Sequence, residues 1–363
     1  MQLPFQPPVE PMLAKLSNGL PEGDGWIFEP KWDGFRALVF KSGEDLLIQS
    51  RDKKPLGRYF PELEVSLRAA LPDRCVLDGE VVIATDGRLD FEALLLRIHP
   101  AATRVKMLAE QSPSSFVAWD LLALGDEDLR ALPQAQRRER LEAAFADIKP
   151  PVHLTPATRD RAIAADWFER FEGAGLDGVI AKPESLPYSP GKRLMMKIKH
   201  QRTADCVVGG FRWYKGGKDK LVGSMLLGLH DAAGVLHHTG VCSSFKATER
   251  AKIAELLRPL RDGARDDHPW RDWADWQDQD TERRLPGATS RWNRGKDLSW
   301  EPIRIGLVCE VSYDHMQGTR FRHATHFKRW RPDKPASECR YDQLEETPAI
   351  ELASIFRPGF SGD

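Results

Sequence analysis

The pattern of predicted helices and strands changes near residue 203, and this change limits the possible folds more than any single motif does. Up to about residue 200, stretches rich in Val, Ile and Leu alternate with stretches of helical spacing. The predicted helices cover residues 61–71, 134–147 and 158–171, the last with Thr158 as its N-cap. The predicted strands cover residues 26–28, 36–40, 46–49, 75–83, 116–122, 179–181 and 195–198. We expect an α+β domain built on antiparallel sheets.

After residue 203 the predicted strands are short and are separated by turns that contain glycine. They cover residues 206–211, 225–229, 235–241, 308–313 and 325–330, and one helix covers residues 247–261. Short strands with a single helix are typical of a small β-barrel such as the OB-fold. We therefore predict two domains, an α+β domain over residues 1–202 and an OB-fold domain over residues 203–363.

Bulk properties exclude several classes of protein. No apolar run approaches the roughly 20 residues that a helix needs to span a bilayer. The N-terminus has neither a basic start nor an apolar stretch, so it does not resemble a signal peptide. The five cysteines are scattered and form no CxxC pair, which argues against a disulfide framework and a zinc site. A reducing cytoplasm without a membrane partner fits these properties best.

The net charge of −1 hides strong local asymmetry. Residues 185–221 contain nine Lys/Arg and two acids, and residues 318–334 contain six Lys/Arg and one acid. Between them, residues 262–282 contain eight acids and two arginines. Clustered basic stretches can bind phosphates without a basic protein overall. Solvated loops explain such clusters equally well, so charge alone leaves nucleic-acid binding open.

The segment from Glu29 to Arg36, with the sequence Glu-Pro-Lys-Trp-Asp-Gly-Phe-Arg, places Lys31 at a strand end before an Asp-Gly turn. A lysine must lose its proton before it can act as a nucleophile, and nearby positive charge with partial desolvation favours that loss. Arg36, Lys197, Lys199 and a bound metal are candidate sources of the charge. A surface lysine before a tight turn fits this short motif equally well.

Four further stretches match a known set in order and spacing. They are Ser50-Arg51-Asp52, Leu77-Asp78-Gly79-Glu80, Asp177-Gly178-Val179-Ile180-Ala181-Lys182 and Lys197-Ile198-Lys199. With the first segment, they resemble the covalent nucleotidyltransferase superfamily of ATP-dependent DNA ligases, RNA ligases and capping enzymes. Residues 116–122 and 329–334 complete the pattern of the ligases. The whole chain is most similar to the minimal bacterial LigC type.

The resemblance implies an ATP-dependent enzyme that seals nicks through a lysyl-AMP intermediate. Lys31 would carry AMP, Glu29 would read the adenine amino group, and Arg51 would contact the DNA 5′-phosphate. Lys197 and Lys199, with Ile198 between them, would face the α-phosphate. The implied catalytic residues are Lys31, Asp33, Arg36, Lys197 and Lys199. The implied nucleotide-binding residues are Glu29, Pro30, Lys31, Arg36, Arg51, Glu80, Trp119, Lys182, Lys197, Lys199, Arg331 and Lys334. Mg²⁺ or Mn²⁺ would use Asp33, Glu80 and Asp177, since these hard cations prefer oxygen ligands.

This chain departs from the family pattern at two positions. Ligases usually have Glu before Gly-Val in the fourth motif, whereas this chain has Asp177, whose shorter side chain must shift the contact or use a water. The adenine-stacking aromatic is commonly Phe or Tyr, and the matching residue here is Trp119. The alternative is that Trp119 belongs to the core and Phe116 faces the base.

The second domain would contribute the C-terminal motif and a DNA-binding surface. In the family, the segment that here holds Arg329, Arg331, Asp333 and Lys334 orients the leaving pyrophosphate. A candidate loop for phosphate contacts contains Arg212, Tyr214, Lys215, Lys218 and Lys220. Three tryptophans spaced by three, Trp270, Trp273 and Trp276, fit a packed helix face better than a row of base-stacking rings.

The expected partner is nicked double-stranded DNA in repair, with a separate repair polymerase or primase as a possible second partner by analogy. NAD⁺ is disfavoured as the donor because the cysteine zinc site and the additional modules of NAD-dependent ligases are not visible. Two rivals remain at this point. A capping enzyme would use GTP, and an OB-fold nucleic-acid binder without catalytic activity would form no AMP adduct.

Overall fold

The computed structural model describes residues 1–200, 202–271, 299–314, 316–344, 348 and 350–356. Its contacts divide the chain into two compact units. The first unit holds Met1–Lys199 together with Thr347–Asp363, and the second holds His200–Glu346. The described residues 350–356 therefore belong with the first unit, whereas the sequence placed all of residues 203–363 in the second domain. The reason is burial, since Leu352 and Ile355 pack into the core of the first unit.

The first unit contains eleven strands and five helices that precede the second unit in the described chain. The strands are β1 (Leu13–Ser17), β2 (Trp26–Pro30), β3 (Phe35–Ser42), β4 (Asp45–Ser50), β5 (Arg74–Thr85), β6 (Arg88–Leu89), β7 (Ser114–Leu124), β8 (Glu127–Asp128), β9 (Val152–Leu154), β10 (Val179–Pro183) and β11 (Arg193–Ile198). The α-helices are α1 (Pro61–Ala70), α2 (Phe91–Leu96), α3 (Ala102–Gln111), α4 (Gln134–Ala144) and α5 (Arg161–Arg170), and short 3₁₀ turns lie at Gly57–Tyr59 and Phe171–Ala174.

These strands form two sheets. The larger sheet has the order β4-β3-β5-β7-β8, with β6 added to β5 and β9 added to β7. The smaller sheet has the order β1-β11-β10-β2. Pairing is antiparallel except between β1 and β11 and between β7 and β9. The expected α+β domain on antiparallel sheets is confirmed, with these two parallel pairs as additions.

Most predicted elements are present, and one helix start was wrong. The strand predicted over residues 75–83 is the central part of β5, whose long apolar run is buried between two neighbours. Thr158 does not cap α5, because its backbone pairs with Phe28 of β2 in both directions. Asp160 is the N-cap instead, and its carboxylate accepts a hydrogen bond from the Ala162 N–H at 2.7 Å. The sequence also missed β1, α2 and α3.

In its described residues, the second unit contains eight strands and one α-helix. Its elements are β12 (Arg202–Trp213), β13 (Val222–His230), β14 (Leu236–Cys242), α6 (Ala247–Leu257), β15 (Glu301–Pro302), β16 (Val308–Tyr313), β17 (Met316–Gln317), β18 (Arg320–Phe321) and β19 (His326–Trp330), with 3₁₀ turns at Arg258–Leu260, Ala336–Glu338 and Tyr341–Gln343. The main sheet has the order β14-β13-β12-β16-β19, and β15 pairs with β12. A bridge from Cys242 to Thr325, the residue before β19, joins the two edges. This is the OB-fold barrel that the strand pattern predicted.

The barrel core contains four of the five cysteines. Cys206 and Cys309 are register partners on β12 and β16, and Cys242 and Cys339 lie in the same apolar cluster. All are buried free thiols, and burial raises the pKa of Cys206 and Cys309 well above the ordinary thiol value. These cysteines act as small apolar core residues, which is the ordinary role of a buried thiol.

Candidate active site

A cleft in the first unit collects side chains from both of its sheets. Its volume is about 240 Å³. The lining residues are Leu13, Ala14, Glu29, Pro30, Lys31, Trp32, Arg36, Arg51, Glu80, Trp119, Ile180, Lys182, Arg193, Met195, Lys197 and Lys199. Ten of the residues that the sequence assigned to nucleotide binding are therefore brought together, although they are spread over most of the first unit.

Lys31 follows the end of β2, and its backbone is fixed on both sides by the segment that precedes β10. The Lys31 N–H donates to the Gly178 carbonyl at 2.8 Å, and the Asp177 N–H donates to the Lys31 carbonyl at 2.9 Å. Gly178 has a φ of 111°, and a Cβ there would lie 2.0 Å from the Ile198 carbonyl oxygen. Only glycine fits this position, so the Asp-Gly pair of the fourth motif is what lets the chain approach Lys31.

Asp177 is the shared partner of two lysines. Its Oδ2 lies 2.5 Å from the Lys31 Nζ and 2.6 Å from the Lys199 Nζ. Burial alone would raise the pKa of Asp177, but the two ammonium groups outweigh burial and hold it below its ordinary value. The carboxylate is therefore ionised at neutral pH.

Lys197 and Lys199 follow the alternation that the sequence predicted. Both line the cleft, and Ile198 between them is buried in the core. Partial burial, with the positive charges of Lys199 and Lys31, lowers the pKa of Lys197 below the ordinary lysine value. Three lysines with a single aspartate between them leave this part of the cleft positive, which suits a polyanionic ligand.

Arg36 is held by Asp78 of the Leu77–Glu80 motif, and that carboxylate is in turn held by Tyr188, a residue that the sequence did not single out. Its guanidinium donates two hydrogen bonds to Asp78, at 2.7 and 2.6 Å, and it lies over the Trp119 ring at 4.9 Å from the centroid. The Tyr188 hydroxyl donates to the same carboxylate at 2.7 Å. Burial opposes the charge of Arg36, but Asp78 outweighs it and raises the arginine pKa. This fork leaves Arg36 little rotational freedom.

Glu29 and Lys182 form a buried ion pair with an Oε2–Nζ distance of 2.7 Å. The Lys182 amine also lies 3.4 Å from the Trp119 carbonyl oxygen. The second oxygen of Glu29, Oε1, is buried and has no hydrogen-bond partner, and the Arg138 Nη1 atom 3.8 Å away is likewise buried without one. Unsatisfied buried polar atoms are rare in proteins, so this carboxylate oxygen marks a place where a ligand donor would fit.

Glu80 lies on β5 opposite Arg36 of β3. Burial raises the pKa of the Glu80 carboxyl to about 7, against the lowering influence of Lys31, Arg36 and the Gly34 N–H. A Cβ at position 34 would lie 2.2 Å from the Val81 carbonyl oxygen and 2.8 Å from the Glu80 side chain. The glycine of the Asp-Gly turn therefore allows the turn to pack directly on Glu80.

The burial of Trp119 and Phe116 differs, and this decides which of the two rings can face a bound base. Trp119 is partly exposed and lines the cleft, whereas Phe116 is fully buried in the core below the larger sheet. Trp119 lies at a bulge in the pairing of β5 with β7, between the pairs Asp78–Asp120 and Gly79–Ala118. Bulges re-aim side chains, and this one leaves the indole at the cleft.

The three predicted metal ligands do not form a single coordination site. Glu80 lines the cleft and Asp177 is engaged by two lysines, while Asp33 is half-buried and does not line the cleft. Among the described residues there is no group of three His, Cys, Asp or Glu side chains that could hold a metal ion. Mg²⁺ commonly binds through one or two carboxylates with substrate phosphates and waters, so the separate carboxylates still suit an ion that arrives with a nucleotide.

Arg331 and Lys334 lie in the second unit, in a cluster around Asp205. The Arg331 Nη1 and the Lys334 Nζ approach Asp205 Oδ2 at 2.8 and 3.0 Å. Arg331 also pairs with Asp333 at 2.8 Å, which holds the pKa of Asp333 down at about 2. Arg329 pairs with Glu310 at 2.6 Å.

The candidate DNA-contact loop lies within the described residues, whereas the tryptophan series is described only in part. Tyr214 is exposed, and Arg250 of α6 lies over its ring at 4.6 Å. Trp270 is fully buried in the barrel core, which fits the packed interpretation, while Trp273 and Trp276 lie outside the described residues. Of the helices in the described part of the chain, none is long and apolar enough to cross a membrane.

The matching family models and two curated relatives all belong to the DNA ligases. Residues 11–199 match the ATP dependent DNA ligase domain, and residues 218–334 match the ATP dependent DNA ligase C terminal region. The chain belongs to the ATP-dependent DNA ligases. It is 54% identical over 350 residues to DNA ligase C2 of Mycolicibacterium smegmatis, covering 96% of this chain and 97% of that protein. It is 52% identical to DNA ligase C of Mycobacterium tuberculosis, covering 98% and 99% of the two chains. The expected LigC type is confirmed.

A solved structure with low sequence identity shares the fold of this ligase. The match is to a Lig E DNA ligase described as binding DNA with a minimal scaffold, and it covers 89% of this chain and 99% of the Lig E chain. The TM-score is 0.53 and the identity is 17%. At that identity the likeness concerns the architecture alone.

Proposed function

We propose that Lys31 is the residue that carries AMP in the ATP-dependent nick sealing by this ligase. The Lys31 amine attacks the α-phosphate of ATP, forms a P–N bond and releases pyrophosphate. The AMP then passes to the 5′-phosphate of a nick and frees the amine. Attack of the adjacent 3′-hydroxyl on that phosphate forms the phosphodiester and expels AMP. The observation that carries the proposal is the position of Lys31 in the one cleft that also holds Lys197, Lys199 and Glu80.

The positive end of the cleft would bind the triphosphate. Lys197 and Lys199 would contact the α-phosphate, whose oxygens gain charge in the transition state. Asp177 supports the role of Lys31 by holding its amine at 2.5 Å, in a fixed place beside these lysines. Arg36, fixed by Asp78 and Tyr188, would contact the ribose or the nick. Arg51 is exposed at the edge of the cleft, where it would meet the 5′-phosphate of the DNA.

The other end of the cleft would bind adenine. The Glu29 Oε1, which has no hydrogen-bond partner among the described residues, is an acceptor that suits the exocyclic amine of adenine, whereas guanine offers a carbonyl oxygen at that ring position. Trp119 would stack on the base. Lys182 is engaged by Glu29, so we assign it to the adenine end of the cleft. Pro30 would pack against the nucleotide between the two ends.

The carboxylates Asp33, Glu80 and Asp177 are the candidate ligands for Mg²⁺ or Mn²⁺. A bound ion would supply positive charge to the reacting phosphate oxygens. In the second unit, Arg331 and Lys334 would orient the leaving pyrophosphate. We assign the adenylation domain to the first unit, including its C-terminal residues, and the OB-fold with the C-terminal motif to the second.

Lys31→Ala tests the proposal most directly. The variant should form no covalent AMP adduct and should seal no nick from ATP, yet it should seal a little pre-adenylylated nick, because the last step does not use the amine. Lys15→Ala is the matched control, since Lys15 is an exposed lysine of β1 outside the cleft. The measurements are adduct formation with labelled ATP or GTP and sealing of both nicks. Equal loss on both nicks would show that Lys31 is structural, and adduct formation with GTP would point to capping chemistry.

The cellular setting follows from the same activity. We propose that the substrate is nicked duplex DNA in repair, with a separate polymerase or primase filling the gap first. The relatives named LigD are described as multifunctional end-joining proteins, and this chain matches 39% of their length. A monomer in the bacterial cytoplasm at the nucleoid fits this role. Co-purification of a polymerase with the tagged ligase from its own cells would test the partner.

A further inference from the structure

The last described residues of the chain form a short segment that is anchored on the first unit. We call residues 350–356 the C-terminal segment. The Leu352 N–H donates to the Gly87 carbonyl at 2.8 Å. Leu352 and Ile355, on the short helix α7 (Leu352–Ile355), are buried in the apolar cluster that also holds Phe28 and Val179. These contacts fix the direction in which Phe356 leaves the helix.

Phe356 packs against two aromatic rings. Its ring centroid lies 5.1 Å from that of Trp32 with the planes 13° apart, and 4.2 Å from that of His153 with the planes 23° apart. Burial lowers the pKa of His153 to about 4, so its ring is neutral near pH 7. Stacked pairs of this kind contribute about 0.5–1.5 kcal/mol beyond the area that they bury. The C-terminal segment is therefore joined to Trp32 by a specific stacking contact.

Trp32 is the residue directly after Lys31, and it is restrained from a second direction. Its indole Nε1 donates to the Thr155 Oγ1 at 2.8 Å, and the side chain is only 4% exposed. Thr155 itself is held through its carbonyl by the Arg138 guanidinium at 2.8 Å. A displaced indole would therefore shift the backbone that sets the direction of the Lys31 side chain.

We propose that Phe356 is a positioning residue for the nucleophile. Phe356 restrains the Trp32 ring by stacking on it. Because Trp32 directly follows Lys31, this contact holds the Lys31 amine where it can attack ATP. This inference rests on the proposed role of Lys31. It predicts that the C-terminal segment contributes to the first step of ligation, whereas the later steps, which do not need the amine as a nucleophile, depend on this segment much less.

The test uses the full chain with Phe356→Ala. At saturating ATP, the rate constant of self-adenylylation should fall between tenfold and a hundredfold, which is the scale for a reactive group displaced by about 1 Å. The ATP concentration at half-maximal rate should change less than twofold, and sealing of a pre-adenylylated nick should stay within twofold of wild type. Phe356→Tyr, which keeps the ring, should restore the rate.

Leu63→Ala is the matched control for stability. Leu63 is fully buried in the cluster under the larger sheet, which does not contain Trp32. This variant should unfold at a lower temperature yet adenylylate at the wild-type rate while folded. A wild-type rate for folded Phe356→Ala, or equal losses in the first and last steps, would overturn the inference. Mapping the AMP adduct of the wild type separates the two proposals, since an adduct elsewhere than Lys31 overturns the assignment of the nucleophile itself.

Discussion

Each of the two units contains an aspartate that holds two cations. In the first unit, Asp177 binds the amines of Lys31 and Lys199 at 2.5 and 2.6 Å. In the second, Asp205 binds Arg331 and Lys334 at 2.8 and 3.0 Å. The two carboxylates are similarly shielded, with side-chain exposures of 8% and 12%.

The difference lies in the balance of charge. Asp177 faces Lys31, Lys197 and Lys199, so the cleft keeps a positive excess. Arg331 has a second carboxylate, Asp333, so the cluster of the second unit is compensated within itself. A site with excess charge is ready for the phosphates of ATP, whereas compensated cations must exchange their partners before they can bind pyrophosphate. Substitutions at the two aspartates should therefore have unequal effects.

Asp177→Asn should have the largest effect. The amide keeps the shape but loses the charge that fixes two lysines and that would attract Mg²⁺. We expect self-adenylylation to slow by on the order of a hundredfold, the typical loss when one transition-state contact is removed, with a raised metal requirement. The measurement is the adenylylation rate against Mg²⁺ concentration.

Asp177→Glu sharpens this result. Glutamate is the residue usual in the family at this position, so the rate of self-adenylylation should stay at the wild-type level or rise. If Asn at position 177 behaves like wild type at every Mg²⁺ concentration, the ion pairs with Lys31 and Lys199 are scaffold and the comparison between the two aspartates fails.

The cleft was largely predictable from the sequence because its residues belong to short contiguous motifs. Lys31, Arg36, Glu80, Trp119 and Lys197 all line it. Motif spacing carries this information, since alternation on a strand puts every second side chain on one face. Spacing could not show that Asp177 would be engaged by lysines, because that depends on how β2 and β11 are paired through β10.

The supporting residues could not be predicted, because their contacts join distant parts of the chain. Tyr188 reaches Asp78, Arg138 reaches Thr155, and Phe356 reaches Trp32 from the other end of the sequence. None of them stands in a recognisable motif. The fold shows the same division. Strands with strong apolar patterns were predicted, whereas helix α3, half of whose residues are polar, and the packing of the C-terminal segment on the first unit were not.

Arg331→Ala and Lys334→Ala should each slow self-adenylylation by about tenfold to thirtyfold, the range for a lost charge-assisted contact worth about 1.5–2 kcal/mol. Sealing of pre-adenylylated DNA should remain close to wild type, because pyrophosphate leaves only in the first step. Asp205→Asn is the companion variant, and it should change the first step less than Asp177→Asn does. If the last step fell as far as the first, these cations would be acting on DNA.

The smallest predicted effect concerns pH and the first unit alone. With a carboxyl pKa of about 7, Glu80 loses its charge as the pH falls from 8 to 6. If the charged form is required for ribose or metal binding, kcat/KM for ATP should fall by up to about tenfold over this range, because roughly a tenth of the carboxyls stay ionised one unit below the pKa. Arg331→Ala should keep this acid limb, since its site lies in the other unit.

Glu80→Gln should remove the inflection near pH 7 and leave a lower, flatter profile. An independent check is stability. The folded protein keeps the Glu80 proton up to about pH 7, whereas the unfolded chain releases it near the ordinary value of 4.5. The contribution of Glu80 to stability is therefore full below pH 4.5 and is lost as the pH rises through 7. Urea unfolding at pH 5 and pH 8 should show wild type losing more stability than Glu80→Gln over this window. An inflection that persists in the Gln variant would mean that another group, such as one of the cleft lysines, sets the acid limb.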